Sequence, residues 1–376
     1  MARAVIIQRV VPHYRVALFE QLHKRLGWRV VCGEGGPSHG LETAAGDDHE
    51  WLISIPFRRS RRNQYRVHAS LDKIMRATSP EALVCEFSPQ FSLVWRLVLL
   101  GSPVPLAFWS QGWNRERGFT APVDRLVQNT RLRLMRRADA QLVYSDESAA
   151  FLHDRLGSDM PVFVARNTLA IESFPGRGID ESPRDPAAPH VISVGRLTPD
   201  KHVPRVVEAF LKLRQAFPGA RMTVVGDGPD RAAVEAVAAA GQGSVTMAGA
   251  VYDEDAIGAM FRSASLLVVG GSVGLSVNHA LAYGVPVMIF DDSETHRHHP
   301  EHAYVVDGVT GFRVKGEGTQ VLAEAMRDAL AAPGPRAKLG KSLMEFGEKE
   351  LSLERMIDGF VRLDAHFDKL LKSGRN

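Results

Sequence analysis

Short apolar, β-branched runs alternate with amphipathic segments of helix length almost from one end of the chain to the other. Such alternation predicts parallel sheets covered by helices on both faces. In the first half, strands are expected at Ala4–Ile7, Arg29–Val31, Leu83–Cys85, Leu106–Trp109, Gln141–Tyr144 and Val162–Ala165. Helices are expected between them at Arg15–Leu26, Phe91–Leu100, Val123–Arg137 and Glu147–Leu156.

The stretch 173–189 breaks the pattern with Pro175, Pro183, Pro186 and Pro189, glycines and mixed charge, which is the chemistry of a linker. The alternation then restarts. Strands are expected at His190–Val194, Arg221–Val225, Ser244–Met247, Ser265–Val269 and Val285–Phe290. The intervening helices are Val203–Phe217, Arg231–Ala240, Asp253–Arg262 and Leu275–Tyr283. A last helix, Leu351–Leu371, carries Leu353, Met356, Ile357, Phe360, Leu363 and Phe367 on one face. The domains are therefore read as 1–172, a linker at 173–189, a second domain at 190–350 and a terminal helix at 351–376. Ligands of such doubly wound sheets lie at the carboxyl ends of the strands.

Composition removes other classes. With 376 residues, 45% hydrophobic and 24% charged, the chain is neither disordered, collagen-like nor a coiled coil. Cys32 and Cys85 cannot staple a chain of this size and read as buried thiols in a reducing compartment. The start shows no signal peptide. The longest apolar stretch, Phe91–Trp109, is interrupted by Arg96, Gly101, Pro103 and Pro105, and a membrane span needs about 20 unbroken apolar residues. A soluble cytoplasmic protein is expected, with peripheral contact at the inner membrane face. The charge is uneven: residues 1–175 hold 23 Lys+Arg against 17 Asp+Glu, and the rest 23 against 26. Arg58, Arg59, Arg61, Arg62 and Arg66 form one basic group, and Arg131, Arg133, Arg136 and Arg137 another. Either is solvated surface or an attractor of phosphate or anionic lipid. A pI near 8.9 with no aromatic-interleaved basic face argues against nucleic acid.

Four constellations carry chemistry. In residues 191–201 a strand ends at Gly195, Arg196 follows, and Lys201 lies five positions on; two cations at a strand end suit a leaving diphosphate. In residues 270–287 a strand empties into Gly270, Gly271, Ser272, Val273 and Gly274 before a helix, an arrangement that suits anions. In residues 224–230, Gly226, Asp227, Gly228 and Pro229 form a strand-to-helix turn. In residues 291–312, His296, His298, His299 and His302 cluster with Glu294 and Glu301, but neither Cys nor HExxH spacing supports zinc.

In this order and spacing, the four resemble the C-terminal half of glycosyltransferase family 4. The resemblance implies the GT-B fold, an α/β arrangement of two doubly wound Rossmann-like domains facing a cleft, and a retaining transferase using a nucleotide-sugar. It implies that Arg196 and Lys201 grip the donor diphosphate. Gly195 and the Gly274–Ser276 backbone would approach the phosphates, with Leu275 between. Gly226, Gly228 and the loop through Ala250 would lie near the base, and the turn 305–311 beside the donor. The last helix would cross back to the first domain. One departure concerns the two family glutamates eight positions apart, which fall on Gly271 and His279. His279 can still accept and donate hydrogen bonds to a ribose, whereas Gly271, followed by Ser272, offers backbone only.

The resemblance also gives the first domain's strand ends a role. Arg9, His13, Tyr14 and Arg15 follow the first strand and suit phosphate or sugar, with His13 counted among the catalytic candidates. Trp109 and Gln111 suit sugar stacking and hydrogen bonding, and Glu86 is a further acceptor-side candidate. Retaining transfer in this fold needs no protein nucleophile, because the leaving diphosphate helps to deprotonate the acceptor; positioning and charge stabilisation carry catalysis. Neither cofactor nor metal is expected. The partners are a nucleotide-diphosphate sugar and a saccharide acceptor, lipid-linked in surface polysaccharide or glycoconjugate assembly. Two alternatives stand beside this: a sugar-nucleotide 2-epimerase of the same fold, and a binding-only relative that lost chemistry with the glutamates.

Overall fold

The computed structural model describes residues 2–33, 49–59, 67–113, 121–178, 185–291, 299–331 and 335–374. The chain divides into two compact units, Met1–Ala170 with Leu353–Asn376, and Ile171–Ser352.

The first unit runs β1 (Val5–Ile7), α1 (Val16–Leu26), β2 (Arg29–Gly33), β3 (Leu52–Ile55), β4 (Arg58–Arg59), β5 (Val67–His68), α2 (Leu71–Thr78), β6 (Leu83–Glu86), α3 (Ser92–Leu100), β7 (Leu106–Ser110), α4 (Pro122–Met135), β8 (Ala140–Val143), α5 (Asp146–Leu156) and β9 (Val162–Val164). Its main sheet has the order β3-β2-β1-β6-β7-β8-β9, parallel throughout, and β4 and β5 pair as a separate antiparallel hairpin. Winding reverses between β1 and β6, so the loops after these strands meet at the crevice of the sheet.

Alternate residues of each buried strand serve opposite cores. Val5 and Ile7 face one cluster with α2, α3, α4 and α5. Ala4 and Ile6 face another with α1 and the terminal helix.

The second unit runs β10 (His190–Val194), α6 (Val203–Leu213), β11 (Arg221–Val225), α7 (Arg231–Ala238), β12 (Val245–Gly249), α8 (Glu254–Ser263), β13 (Leu266–Val269), α9 (Ser276–Ala282), β14 (Val287–Phe290), β15 (Gly311–Val314), α10 (Thr319–Ala331) and α11 (Pro335–Glu350). Its parallel sheet has the order β12-β11-β10-β13-β14-β15, with the reversal between β10 and β13. The last helix, α12 (Leu353–Lys372), returns to the first unit. There Phe360 meets Trp28 and Trp109 edge-on, and Trp28 Nε1 donates to Asp364 at 2.9 Å.

The start of the proline-rich stretch is packed rather than strung out. Phe174 stacks on His279 at 4.6 Å between ring centres, and Tyr283 donates its hydroxyl to the Pro175 carbonyl at 3.0 Å. Both contacts lie within the second unit. Among the described residues, no helix is long and apolar enough to cross a membrane.

Candidate active site

The second unit's site is built at its strand reversal. After β10, Gly195 sits at φ 153°, and a 3-10 turn, Pro199–Lys201, leads into α6. After β13, the chain runs through Gly270 and Gly271 directly against that turn. A Cβ on Gly271 would lie 2.1 Å from the Asp200 carbonyl oxygen, and one on Gly270 would lie 2.5 Å from Val206 Cγ2. No side chain fits at 271. The position aligned with a family glutamate is closed by backbone.

Hydrogen bonds lock the two loops together. The Asp200 carbonyl accepts from the Ser272 N–H at 2.8 Å. Lys201 Nζ donates to the Ser272 carbonyl at 2.7 Å. The ammonium therefore lies in the glycine loop, 3.6 Å from where a Gly274 Cβ would be. Burial holds the Lys201 pKa below its ordinary value, Asp200 and Glu301 oppose that shift, and the Arg196 charge adds to it. Arg196 is exposed at the rim of a pocket lined by Gly195, Leu197, Lys201, Val225 and Gly270.

The third turn explains its own glycines. A Cβ on Gly226 would lie 1.9 Å from the Gly195 carbonyl, and one on Gly228 2.4 Å from the Leu197 carbonyl. Both have positive φ, at 140° and 156°. These residues seat β11's exit turn against β10's exit turn. Ala250 is exposed just beyond β12. Gly274, Leu275 and Ser276 are half-buried at the start of α9, which is only seven residues long. The cationic character of the site therefore rests on Lys201 and Arg196.

His279 is half-buried among aromatic rings. It lies nearly parallel to Phe174 and, on Phe261, at 5.6 Å between centres and 11°. Its Nε2 meets the Glu254 carboxylate at 3.2 Å. Sequence reading missed Glu254, because it belongs to the first turn of α8, where Asp253 caps the helix by accepting from the Ala256 N–H. Acidic residues are common there for the helix dipole alone.

In the first unit, Arg9 follows β1 and Glu86 ends β6, the two strands at the reversal. They pair: Glu86 accepts from the Arg9 backbone N–H at 2.9 Å and from Nε at 3.0 Å. Arg15 goes elsewhere. It is buried, donates to Asn167 Oδ1 at 2.6 Å and lies 4.6 Å over the Trp109 ring and 5.3 Å over Tyr144.

Trp109 corrects an expectation. It is 1% exposed and enclosed by Phe19, Tyr144 and Phe360, so a sugar cannot stack on it. β7 is buried on both faces, and its last aromatic turns into the core. Trp109 instead supports Arg15. His13 and Tyr14 are exposed on a 3-10 turn, and Gln111 is half-buried with its carbonyl accepting from Ser148 Oγ at 3.0 Å.

Arg61, Arg62 and Arg66 of the first basic group, and Glu294, His296 and His298 of the histidine cluster, lie outside the described residues. Glu301 is buried at a 3-10 turn, Pro300–Tyr304.

Two doubly wound parallel units, with a lysine and an arginine at the second unit's strand reversal, define the GT-B class. Residues 179–345 match the family described as glycosyl transferases group 1. The chain has the GT-B fold, and its second unit is similar to the group 1 glycosyl transferases. Solved structures share the fold of both units. Sucrose-phosphate synthase from Thermosynechococcus elongatus aligns at TM-score 0.73 and 16% identity, over 100% of both chains. A glycosyltransferase from Rickettsia africae aligns at 0.72 and 14%, over 98% of this chain and 99% of that one. Anabaena HepE in complex with UDP aligns at 0.70 and 14%, over 97% and 100%. At such identities the likeness is one of fold. No curated protein matches the sequence.

Proposed function

We propose that the chain is a retaining, metal-independent glycosyltransferase. It takes a sugar from a nucleoside-diphosphate donor bound by the second unit and passes it to a saccharide acceptor recognised by residues of the first. The observation that carries this reading is Lys201, an ammonium drawn into the glycine loop against the Ser272 carbonyl, with Arg196 at the same pocket. A half-buried cation with a carbonyl as its partner gains from a diphosphate, and more as the diphosphate leaves. The sugar's departure requires that charge to be met, and the two cations meet it. His13, Tyr14, Gln111 and the Arg9–Glu86 pair are the acceptor-side groups. The first half's basic excess supports a lipid-linked acceptor, as in polysaccharide assembly.

UDP is the nucleotide to try first, since HepE holds it. The experiment is thermal unfolding with UDP, GDP, ADP and CMP, each with and without EDTA. A ligand at 100 times its Kd adds about 2.7 kcal/mol of stability. One diphosphate is expected to raise Tm, equally in EDTA, and Arg196→Ala to remove the rise. Lys201→Ala is expected to slow transfer on the order of 10²-fold. Near-normal turnover in that variant, or activity lost in EDTA and restored by Mn²⁺, would refute the corresponding assignment.

A second reading has one observation in its favour. Position 271 admits no side chain, so a carboxylate there is excluded by geometry. A protein that binds a nucleotide-sugar without transferring it would show the Tm shift and no turnover with any acceptor.

A further inference from the structure

Helices α3 and α4 present outward apolar residues that stay exposed among the described residues. They link β6 to β7 and β7 to β8, neighbouring parallel strands, and right-handed crossovers place both on one side of the sheet. The shared core confirms it: Leu93, Val94 and Leu97 of α3 and Leu132, Leu134 and Met135 of α4 belong to one cluster. The opposite faces therefore both point outward on this side of the sheet. On α3 these are Trp95 and Leu99, one turn apart, with Leu100 at the helix end; they are 38%, 72% and 72% exposed. On α4 they are Val123 and Leu126, at 57% and 62%. Five of the ten exposed large hydrophobics of the described chain lie on these two helices. Scattered single leucines need no explanation, but outward apolar residues on two helices of the same side of one sheet do.

The charge beside this group has one sign. Helical spacing continues the Val123–Leu126 stripe through Thr130 to Arg133 and, just past the helix, Arg137. Arg125 and Arg136 are also exposed, and Arg96 lies on α3. The single acid in the two helices is Asp124. An apolar stripe that passes into arginines on one outward face matches an anionic bilayer, where acyl chains receive the leucines and headgroup phosphates meet the guanidinium groups.

We propose that the outward face of α3 and α4 docks this protein on an anionic lipid surface, with Trp95, Leu99, Val123 and Leu126 entering the headgroup boundary and Arg133 and Arg137 pairing with phosphate. This surface is separate from the donor site and does not depend on the reading of that site.

The tryptophans supply a direct readout. Trp28, Trp51 and Trp109 are buried and Trp113 half-buried, which leaves Trp95 as the exposed indole. The full chain is floated with vesicles of equal parts phosphatidylglycerol and phosphatidylcholine, and with phosphatidylcholine alone. Binding to the anionic vesicles is expected, with a blue shift of emission that Trp95→Phe removes. The Leu99→Asp, Leu126→Asp double variant should bind at least about tenfold more weakly. Arg133→Glu with Arg137→Glu should remove the salt-sensitive part of binding, which otherwise fades as the Debye length falls from about 10 Å at 0.1 M to 3 Å at 1 M salt. Unchanged Tm and unchanged nucleotide binding in these variants show that the fold and the donor site are intact. Three results would overturn the proposal: no binding to anionic vesicles, full binding by the double aspartate variant, or a dimer in sedimentation velocity that the aspartates abolish, which would make a second copy the occupant.

Discussion

Lys201 holds a positive charge where its surroundings oppose it. Burial lowers its pKa from 10.5, so the free protein carries a cost that a bound diphosphate removes. The sign of the pH dependence follows. Below the lowered pKa the lysine is charged with or without ligand, and affinity is full. As pH rises through that value, the free protein loses the proton while the complex retains it, and affinity falls before 10.5 is reached. Titration of nucleotide binding across alkaline pH is expected to show this arm, and Lys201→Arg, whose charge persists, to flatten it. The stability of the free protein moves the other way. The cost is present at neutral pH and is relieved above the lowered pKa, so Lys201→Met should leave the free protein's Tm unchanged or raised. A lower Tm in that variant would mean that the Ser272 contact is structural. The same loop makes a harder prediction. Gly271→Ala drives a methyl to 2.1 Å from the Asp200 carbonyl, and relief requires a backbone shift of the kind that costs about 1–3 kcal/mol. A denaturant midpoint unchanged by that substitution would contradict the loop packing. His279→Glu, by contrast, is expected to fold, with its carboxylate set against Glu254.

Elements were legible where burial was two-sided and obscure where it was not. β1, β7 and β13 are buried along their length, β6 up to its final Glu86, and all four read directly from apolar runs. β3 buries only Ile55, because it is an edge strand, so it leaves no alternation to detect. α11 offers little periodicity: Leu343 is its fully buried leucine amid lysines and glutamates. α2 did carry a signal that went unread, Ser70 as cap ahead of Leu71, Ile74 and Thr78 on one face. The site divides in the same way. Strand-end positions are legible in the sequence, and the structure places Arg196, Lys201, Arg9 and Glu86 just after or at the ends of strands at the two sheet reversals. Partners brought from other elements leave no such mark, which is why the sequence does not reveal that Trp109 is enclosed in the core, that Asn167 holds Arg15 or that Glu254 meets His279. One such partner supports a prediction. Ser145 caps α5 by accepting from the Ser148 N–H at 3.2 Å, while Ser148 Oγ donates to the Gln111 carbonyl. Ser145→Ala is expected to cost about 1 kcal/mol of stability. Ser148→Ala should raise the acceptor KM more than it lowers kcat, since it frees the backbone carrying Gln111. Unaltered acceptor KM would remove Gln111 from the acceptor side.

At the scale of the molecule, α12 completes the unit that holds β1. Met356, Ile357, Phe360, Leu363 and Phe367 of α12 enter the core that holds Ala4, Ile6, Phe19 and Trp28, so the first unit's hydrophobic interior is not closed until α12 is in place. The apolar stripe of α12 is plain in the sequence, and its destination on the first unit follows from the family resemblance, since periodicity alone reports a buried face and not its partner. Gly359 fixes the approach: a Cβ there would lie 2.3 Å from the Val164 carbonyl, so α12 packs directly on β9. Tryptophan reports on this unit alone. All five tryptophans lie in the first unit and none in residues 171–352, whereas far-ultraviolet ellipticity follows both units. Phe360 touches two of those indoles, Trp28 and Trp109. Truncation of a buried phenylalanine costs about 3–5 kcal/mol, a large share of the 5–15 kcal/mol that stabilises a domain. Phe360→Ala is therefore expected to move the tryptophan-detected unfolding midpoint to much lower denaturant, and a chain ending at Ser352 to lose the cooperative tryptophan transition while keeping helical ellipticity from the second unit. A tryptophan transition as sharp in the shortened chain as in the full one would mean that α12 is an accessory to the first unit's core and not its last component.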